Sequence, residues 1–143
     1  MTERRFTFSV HRFKPGVIDP PIVETEALTL EEELTVIDAL EALRLSRIPG
    51  LMYRHSCHHG ACGTCAVRIN GLERLACTTT LKSLETDEIT LEPIRGHRVL
   101  GDLVVDTSIL ARDIDEGWSQ IRPSNRDGAS RLEDCIECGI CMA

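Results

Sequence analysis

Four cysteines with a closely defined spacing constrain what this chain can fold into. They lie in the stretch CHHGACGTCAVRINGLERLAC, which follows the pattern C-x4-C-x2-C-x11-C, and they are Cys57, Cys62, Cys65 and Cys77. Three thiolates on one tight loop, with a fourth from a following strand, can enclose a [2Fe–2S] cluster. The spacing therefore predicts a small fold organised around a cysteine loop.

The residues between these cysteines suit such a loop. Gly60 and Gly63 stand where the backbone must turn sharply and approach sulfur closely, and glycine tolerates a positive φ without a side chain that clashes. The loop N–H groups can then donate hydrogen bonds to sulfur, which stabilises negative charge there. The x11 gap accommodates one short hairpin, AVRINGLERLA, which would return the fourth sulfur. Photosynthetic-type ferredoxins place that cysteine much further along the chain.

Other kinds of cysteine site fit less well. A zinc site normally uses two well-separated cysteine pairs, whereas the first pairing here is C-x4-C. A Rieske centre needs a C-x-H spacing, and His58 follows Cys57 directly. We expect His55, His58 and His59 to face solvent. A catalytic thiol is disfavoured because no single cysteine of this group stands apart with a base.

Composition narrows the class of protein further. The chain has 143 residues, 42% apolar and 3% aromatic, and a net charge of −7. This acidic balance, without a Lys/Arg run, argues against nucleic acid as a partner. Seven cysteines in two groups indicate metal ligands rather than a secreted disulfide framework. Arg4-Arg5 resembles a twin-arginine signal, but alternation of apolar and polar residues after it predicts a strand and no export.

The periodicity of the chain predicts an α+β fold. Residues 35–47 form the clearest helix, with Thr35 as N-cap, Asp38 three positions later, and an apolar stripe that we expect to be Val36, Ile37, Leu40, Leu43 and Leu45. Pro20-Pro21 predicts a loop between two strands that form a hairpin, and Asn70-Gly71 predicts a tight turn. The predicted strands are 3–13, 21–28, 66–69, 73–76 and 88–93.

The C-terminal part contains a second group of cysteines. Residues 103–118 have mixed periodicity and are expected to include a helix, and the polar, turn-rich residues 119–131 are expected to form a linker. The segment CIECGIC follows and holds Cys135, Cys138 and Cys141 in a C-x2-C-x2-C pattern.

The run RHSCHHGACGTCAVRINGLERLACTT strongly resembles the N-terminal [2Fe–2S] domain of the iron–sulfur subunit of succinate dehydrogenase and fumarate reductase. The later segments EITLEPI, LVVD and CIECGIC agree with that resemblance. It implies a β-grasp ferredoxin-type domain over residues 1–105. It also implies that residues 106–143 hold a connecting helix, a linker and the start of a helical domain of bacterial-ferredoxin type.

The resemblance also implies roles for the cysteines. Cys57, Cys62, Cys65 and Cys77 match the four [2Fe–2S] ligands of the family in its all-cysteine form. The later group, Cys135, Cys138 and Cys141, matches the first three ligands of a [4Fe–4S] cluster in the motif C-x2-C-x2-C-x3-C-P. Because Ala143 precedes the expected fourth cysteine, we expect a truncated or partial subunit, in which the second cluster forms only if the missing ligand is supplied.

The function implied is electron transfer in succinate:quinone or quinol:fumarate oxidoreductase. The expected partners are an FAD-containing flavoprotein subunit, membrane anchor subunits and quinone. The expected location is cytoplasmic, peripheral on the inner face of the cell membrane. The chain would be part of an enzyme without holding substrate-binding catalytic residues.

Two alternatives remain open. One is the iron–sulfur subunit of a molybdenum hydroxylase, which shares C-x4-C-x2-C-x11-C but needs a later C-x-C. The other is a zinc-binding interaction module.

Overall fold

The computed structural model describes residues 2–111 and 135–143. Within them, two antiparallel strands, a helix and a series of shorter strands follow one another along the chain. The elements are β1 (Glu3–Lys14), β2 (Ile18–Glu31), α1 (Val36–Ser46), β3 (Ala66–Ile69), β4 (Leu72–Leu75), β5 (Glu88–Glu92), β6 (Val99–Gly101) and β7 (Val104–Val105), with short 3-10 helices at Lys82–Leu84, Ser108–Ala111 and Ile140–Met142.

Five strands form one mixed sheet in the order β2-β1-β5-β3-β4. The hairpin of β1 and β2 is antiparallel, and β5 enters beside β1 in parallel before β3 and β4 extend the sheet as a second hairpin. The side chains of α1 join those of β1, β3 and β5 in the main hydrophobic core. The predicted α+β class is confirmed, and so is the hairpin of the first two strands.

The residues of β1 alternate between buried and less buried positions, as expected for a strand. Phe6, Phe8 and Val10 are completely buried, while the residues between them are less so. Side chains of a strand alternate between two faces, so one face of β1 enters the core. The alternation of apolar and polar residues that predicted a strand, and not an export segment, therefore corresponds to the buried and the less buried face of β1. This strand has a neighbour on each side in the sheet.

Helix α1 begins with the predicted cap. The side chain of Thr35 accepts a hydrogen bond from the Asp38 backbone N–H, and the Asp38 carboxylate accepts one from the Thr35 N–H at 2.9 Å. The predicted apolar stripe is correct except for Leu45, which is 71% exposed. Leu45 is two residues after the buried Leu43 and so lies about 200° around the helix from it.

One prediction from the turn residues was wrong. Pro20-Pro21 lies inside β2 and not in a loop, because β2 is an edge strand and its pairing shifts between Arg12 and Lys14 at this place. Edge strands and bulges accept proline, which has no N–H to contribute. Of the segment 103–118, in which a helix is expected, the part as far as residue 111 contains β7 and a short 3-10 helix. Residues 112–118 and the predicted linker at 119–131 lie outside the described residues.

Among residues 2–111 and 135–143, no helix combines the length and apolar character needed to cross a membrane.

Candidate metal centre

The cysteine loop lies between α1 and β3, and the β3–β4 hairpin returns the chain to it. Ala66 pairs with Leu75 across the hairpin, and the Ala76 N–H donates to the Cys65 carbonyl at 3.3 Å. This pairing sets Cys77 beside Cys65. The hairpin inferred from the x11 gap is therefore the element that returns the fourth cysteine.

Cys65 and Cys77 form an inner pair. Both residues are buried, with 4% and 7% of their surfaces exposed. Burial, which disfavours the thiolate, raises the pKa of Cys65 to about 11, and the neighbouring Cys77 thiol adds to this effect. Iron binding would have to deprotonate the Cys65 thiol against this effect, so metal binding at the inner pair is coupled to the release of a proton.

Cys57 and Cys62 form an outer pair on the exposed part of the loop. Cys57 Sγ accepts hydrogen bonds from three backbone N–H groups, those of His59, Ala61 and Cys62, at 3.4, 3.3 and 3.3 Å. These donors, led by His59, lower the pKa of Cys57 to about 6, and the Cys62 thiol also contributes. The loop thus stabilises negative charge on this sulfur before any metal binds.

The turns of the loop have the backbone conformation that the sequence predicted. Gly60 and Gly63 have φ values of +77° and +70°. His58, at φ +61°, also adopts the left-handed region, which sequence reasoning missed. Its ring Nε2 lies 2.8 Å from Nδ1 of His55, and both side chains, like that of His59, are exposed as expected. The H-x2-H spacing was the available signal for this contact.

A buried carboxylate that sequence reasoning did not identify anchors the entry to the loop. Asp102 accepts hydrogen bonds from the backbone N–H of Phe13 at 2.9 Å and of Met52 at 2.8 Å. It also accepts one from Arg12 Nε at 3.0 Å. Met52 begins the segment that leads into the cysteine loop, so Asp102 ties that segment to β1. The only available signal was an acidic residue between two short apolar runs.

The donor set fits a two-iron cluster. A [2Fe–2S] cluster takes four thiolates, two on each iron, and the structure provides an outer and an inner pair on one glycine-turned loop. Within the described part of the chain, no three His, Cys, Asp or Glu side chains surround a single point where one metal ion could sit.

The second cysteine group is differently placed. Cys135 and Cys141 are exposed and Cys138 is half-buried, packed with Ile140 against Ala66 and Ile94. The structure does not gather these three thiols around one point, but it brings their segment against the first cysteine loop. A cavity of about 330 Å³ lies at this contact, and its lining includes Cys62 and Cys138.

Comparison with known proteins agrees with this geometry. Residues 7–112 match the family described as 2Fe-2S iron-sulfur cluster binding domain. The chain is 30% identical to the fumarate reductase iron-sulfur subunit of Wolinella succinogenes, over 98% of this chain and 66% of that protein. It is 37% identical to the succinate dehydrogenase iron-sulfur subunit of Coxiella burnetii, over 96% and 64%.

A solved structure extends the likeness to the fold. A chain of the Mycobacterium smegmatis Sdh1 complex in the apo form superimposes with a TM-score of 0.76 at 26% identity, covering 98% of this chain and 63% of that one. The chain thus spans two thirds or less of the length of these relatives. It belongs to the 2Fe-2S iron-sulfur cluster binding domain family and is similar to the iron–sulfur subunits of fumarate reductase and succinate dehydrogenase.

Proposed function

We propose that the chain is the electron-transfer iron–sulfur subunit of a succinate:quinone or quinol:fumarate oxidoreductase. The observation that carries the proposal is the pairing of four thiols, Cys57 with Cys62 and Cys65 with Cys77, on one loop of a chain in this family. The names of the similar proteins support this assignment over a molybdenum hydroxylase subunit or a zinc module.

In this proposal each pair of thiolates holds one iron. When bound, the cluster accepts and releases single electrons, whereas a flavin handles two. The protein's part is to hold charge and exclude water. The three N–H donors to Cys57 stabilise negative charge on the outer side, and the burial of Cys65 and Cys77 keeps water from the inner side. Both effects act on the reduction potential.

The asymmetry of the site supports a direction of approach for the partner. The outer pair belongs to an exposed loop, whereas the inner pair lies under the β3–β4 hairpin. We therefore assign the outer edge of the loop, where Cys62 is exposed and Cys57 is half-buried, to the FAD-containing flavoprotein subunit. The chemistry on succinate or fumarate would belong to the flavoprotein, and this chain would hold no substrate-binding catalytic residue.

The remaining assignments concern the rest of the chain. Residues 1–105 would be the [2Fe–2S] domain, and 106–143 would be the connection and the first part of a second domain. Cys135, Cys138 and Cys141 would provide three ligands of a [4Fe–4S] cluster, with a fourth from outside this set. Electrons would pass on to quinone at membrane anchor subunits, which would keep the chain peripheral on the cytoplasmic face of the cell membrane.

The test is spectroscopy on protein that has been purified without oxygen. We expect about two irons and two sulfides per chain at the first site, and a rhombic EPR signal after reduction with dithionite. Mixing the reduced chain with the flavoprotein subunit and fumarate should bleach that signal, and a Cys62→Ser chain should give a weaker signal and less turnover. Zinc without iron or sulfide would support the interaction module instead. If the EPR signal is normal but never responds to the flavoprotein, the chain is an iron–sulfur protein of a different enzyme.

A further inference from the structure

The first cysteine loop and the second cysteine segment meet at a glycine. A Cβ built on Gly63 would lie 2.6 Å from the carbonyl oxygen of Ile136 and 2.9 Å from Cys138 Cβ. Atoms at such distances overlap, so only glycine allows the two segments to approach this closely. Gly63 is also the residue next to Cys62, and it lies between the outer and the inner thiol pairs.

Two more glycines occupy the same junction. A Cβ on Gly96 would overlap the Met142 carbonyl group, and a Cβ on Gly139 would lie 2.9 Å from His97 Nε2. Both have positive φ values, +79° and +77°. The contact is therefore made by close backbone approach from both sides, with Gly63 and Gly96 on the first domain and Gly139 on the second segment.

An apolar contact accompanies these glycines. Cys138 and Ile140 pack against Ile94, Ala66 and Val105, three buried residues that are separate from the main core. Ala66 directly follows Cys65, so the platform that receives Cys138 is continuous with the first site. Ordering of the cysteine loop and docking of the second segment are thus coupled through shared residues.

We propose that Gly63 is a positioning residue that docks the second cysteine segment onto the first cluster loop, with Gly96 and Gly139 completing the junction. The proposal rests on the proposed function only in treating the two cysteine groups as successive electron carriers. Transfer between carriers weakens steeply as the gap between them grows. Because Gly63 has no side chain, the segment that holds Cys138 can lie directly against the first cysteine loop, which keeps the gap between the two cysteine groups short.

The contact can be measured without electron transfer, by the rate at which Cys138 is alkylated. In the full chain under anaerobic conditions, mass spectrometry gives the rates for Cys138 and for the exposed Cys135 together, and their ratio is the readout. Gly63→Ala should raise the Cys138 rate about tenfold, because one added methyl group in a filled contact opens it. The Cys135 rate should stay within about twofold.

Gly60→Ala is the matched control for strain in the loop. Gly60 has the same left-handed backbone, at φ +77°, but its Cβ would meet only Thr78 Cγ2, at 3.1 Å, among the described residues. It should leave Cys138 protected. An equal rise of the Cys138 alkylation rate in both variants would show that the loop as a whole had loosened. No rise in Gly63→Ala would show that the contact does not protect Cys138. Either result overturns the proposal.

A second pair of variants avoids the cysteine loop. Gly96→Ala acts at the other side of the junction, whereas Gly16→Ala puts a methyl group at φ +72° where no described atom lies within 4 Å. We expect a faster Cys138 reaction in Gly96→Ala alone, with the visible spectrum of the first site unchanged. If Gly96→Ala does not raise the alkylation rate of Cys138 above that of the Gly16→Ala control, the proposal fails. This test holds even when Gly63→Ala does not fold. If Cys138 is protected in a chain that never transfers electrons, the docking proposal holds and the proposed function fails. The two proposals can therefore be tested separately.

Discussion

Arg12 and Asp102 form an ion pair almost completely removed from solvent, with 3.0 Å between Arg12 Nε and Asp102 Oδ1. The side chain of Asp102 is fully buried and that of Arg12 is 6% exposed. Because Asp102 also accepts N–H groups from Phe13 and Met52, it joins the end of β1, the approach to the cysteine loop and the β6–β7 turn. A single carboxylate thereby fixes where the loop begins.

Asp102→Ala should destabilise the chain strongly. Arg12 keeps its ion pair with Glu24 in this variant, but Arg12 Nε–H and the backbone N–H groups of Phe13 and Met52 all lose their acceptor. A buried donor left without an acceptor costs about 1–3 kcal/mol, so the total loss should be about 3 kcal/mol or more. The measurement is equilibrium denaturant unfolding under reducing, anaerobic conditions, followed by far-UV circular dichroism. Glu33→Ala is the control, since Glu33 and its ion-pair partner Lys82 are both exposed and the loss of this pair should leave the unfolding free energy nearly unchanged. Equal losses in the two variants would contradict the anchoring role.

The sequence predicted the elements of this fold better than the contacts between them. The alternation in β1 and the Thr35–Asp38 cap are local signals, and the structure contains both. The Asp102 network is not local: its partner Arg12 lies 90 positions away, and the apolar runs on either side of Asp102 do not indicate which residues it contacts. Pro20 led to the wrong prediction of a loop, because proline is excluded only from strands that have a neighbouring strand on both sides. Strand β2 lies at the edge of the sheet and has one neighbouring strand.

Thr35→Ala should weaken α1 at its first turn. The Thr35 side chain satisfies the Asp38 N–H, and its loss should lower the unfolding free energy by about 1 kcal/mol. Thr35→Ser keeps the hydroxyl oxygen and should match the parent chain in the same denaturant titration. If the serine chain lost as much stability as the alanine chain, packing of the threonine methyl group, and not the cap, would be the cause.

Cys62→Ser and Cys138→Ser should separate the two cysteine groups. A neutral hydroxyl is a poorer iron ligand than a thiolate, so Cys62→Ser should lower the iron and sulfide at the first site by about half or more. Cys138→Ser should leave the visible spectrum of the first site almost unchanged. The measurement is iron, sulfide and absorption per chain after anaerobic reconstitution. A first-site spectrum that is lost in Cys138→Ser would show that the two groups do not bind separately.

The candidate site could be identified from spacing, but its internal order could not. The C-x4-C-x2-C-x11-C pattern names four thiols without saying which are buried, since burial depends on the hairpin that covers Cys65 and Cys77. The pattern also indicated that Gly63 must turn. That Gly63 receives Cys138 is a tertiary contact between distant segments, and no local pattern could reveal it.

The two thiol pairs should differ in how alkylation depends on pH. In the iron-free, reduced chain, the reactive species is the thiolate, so each rate rises with pH and levels off once the thiol is ionised. Hydrogen bonds from His59, Cys62 and Ala61 lower the pKa of Cys57 to about 6, so its rate should already be level above pH 7. Burial raises the pKa of Cys65 to about 11, so its rate should still be rising at pH 10.

The shape of each pH profile is the measurement, and not the ratio of rates at one pH. A thiolate of low pKa is intrinsically a weaker nucleophile, which offsets part of its larger ionised fraction. Unfolding in denaturant removes both the N–H donors and the burial, so the two profiles should converge there toward the ordinary thiol value. Parallel profiles in the folded chain would mean that the outer loop does not hold its N–H groups on Cys57. In that case the loop would need iron in order to take its shape.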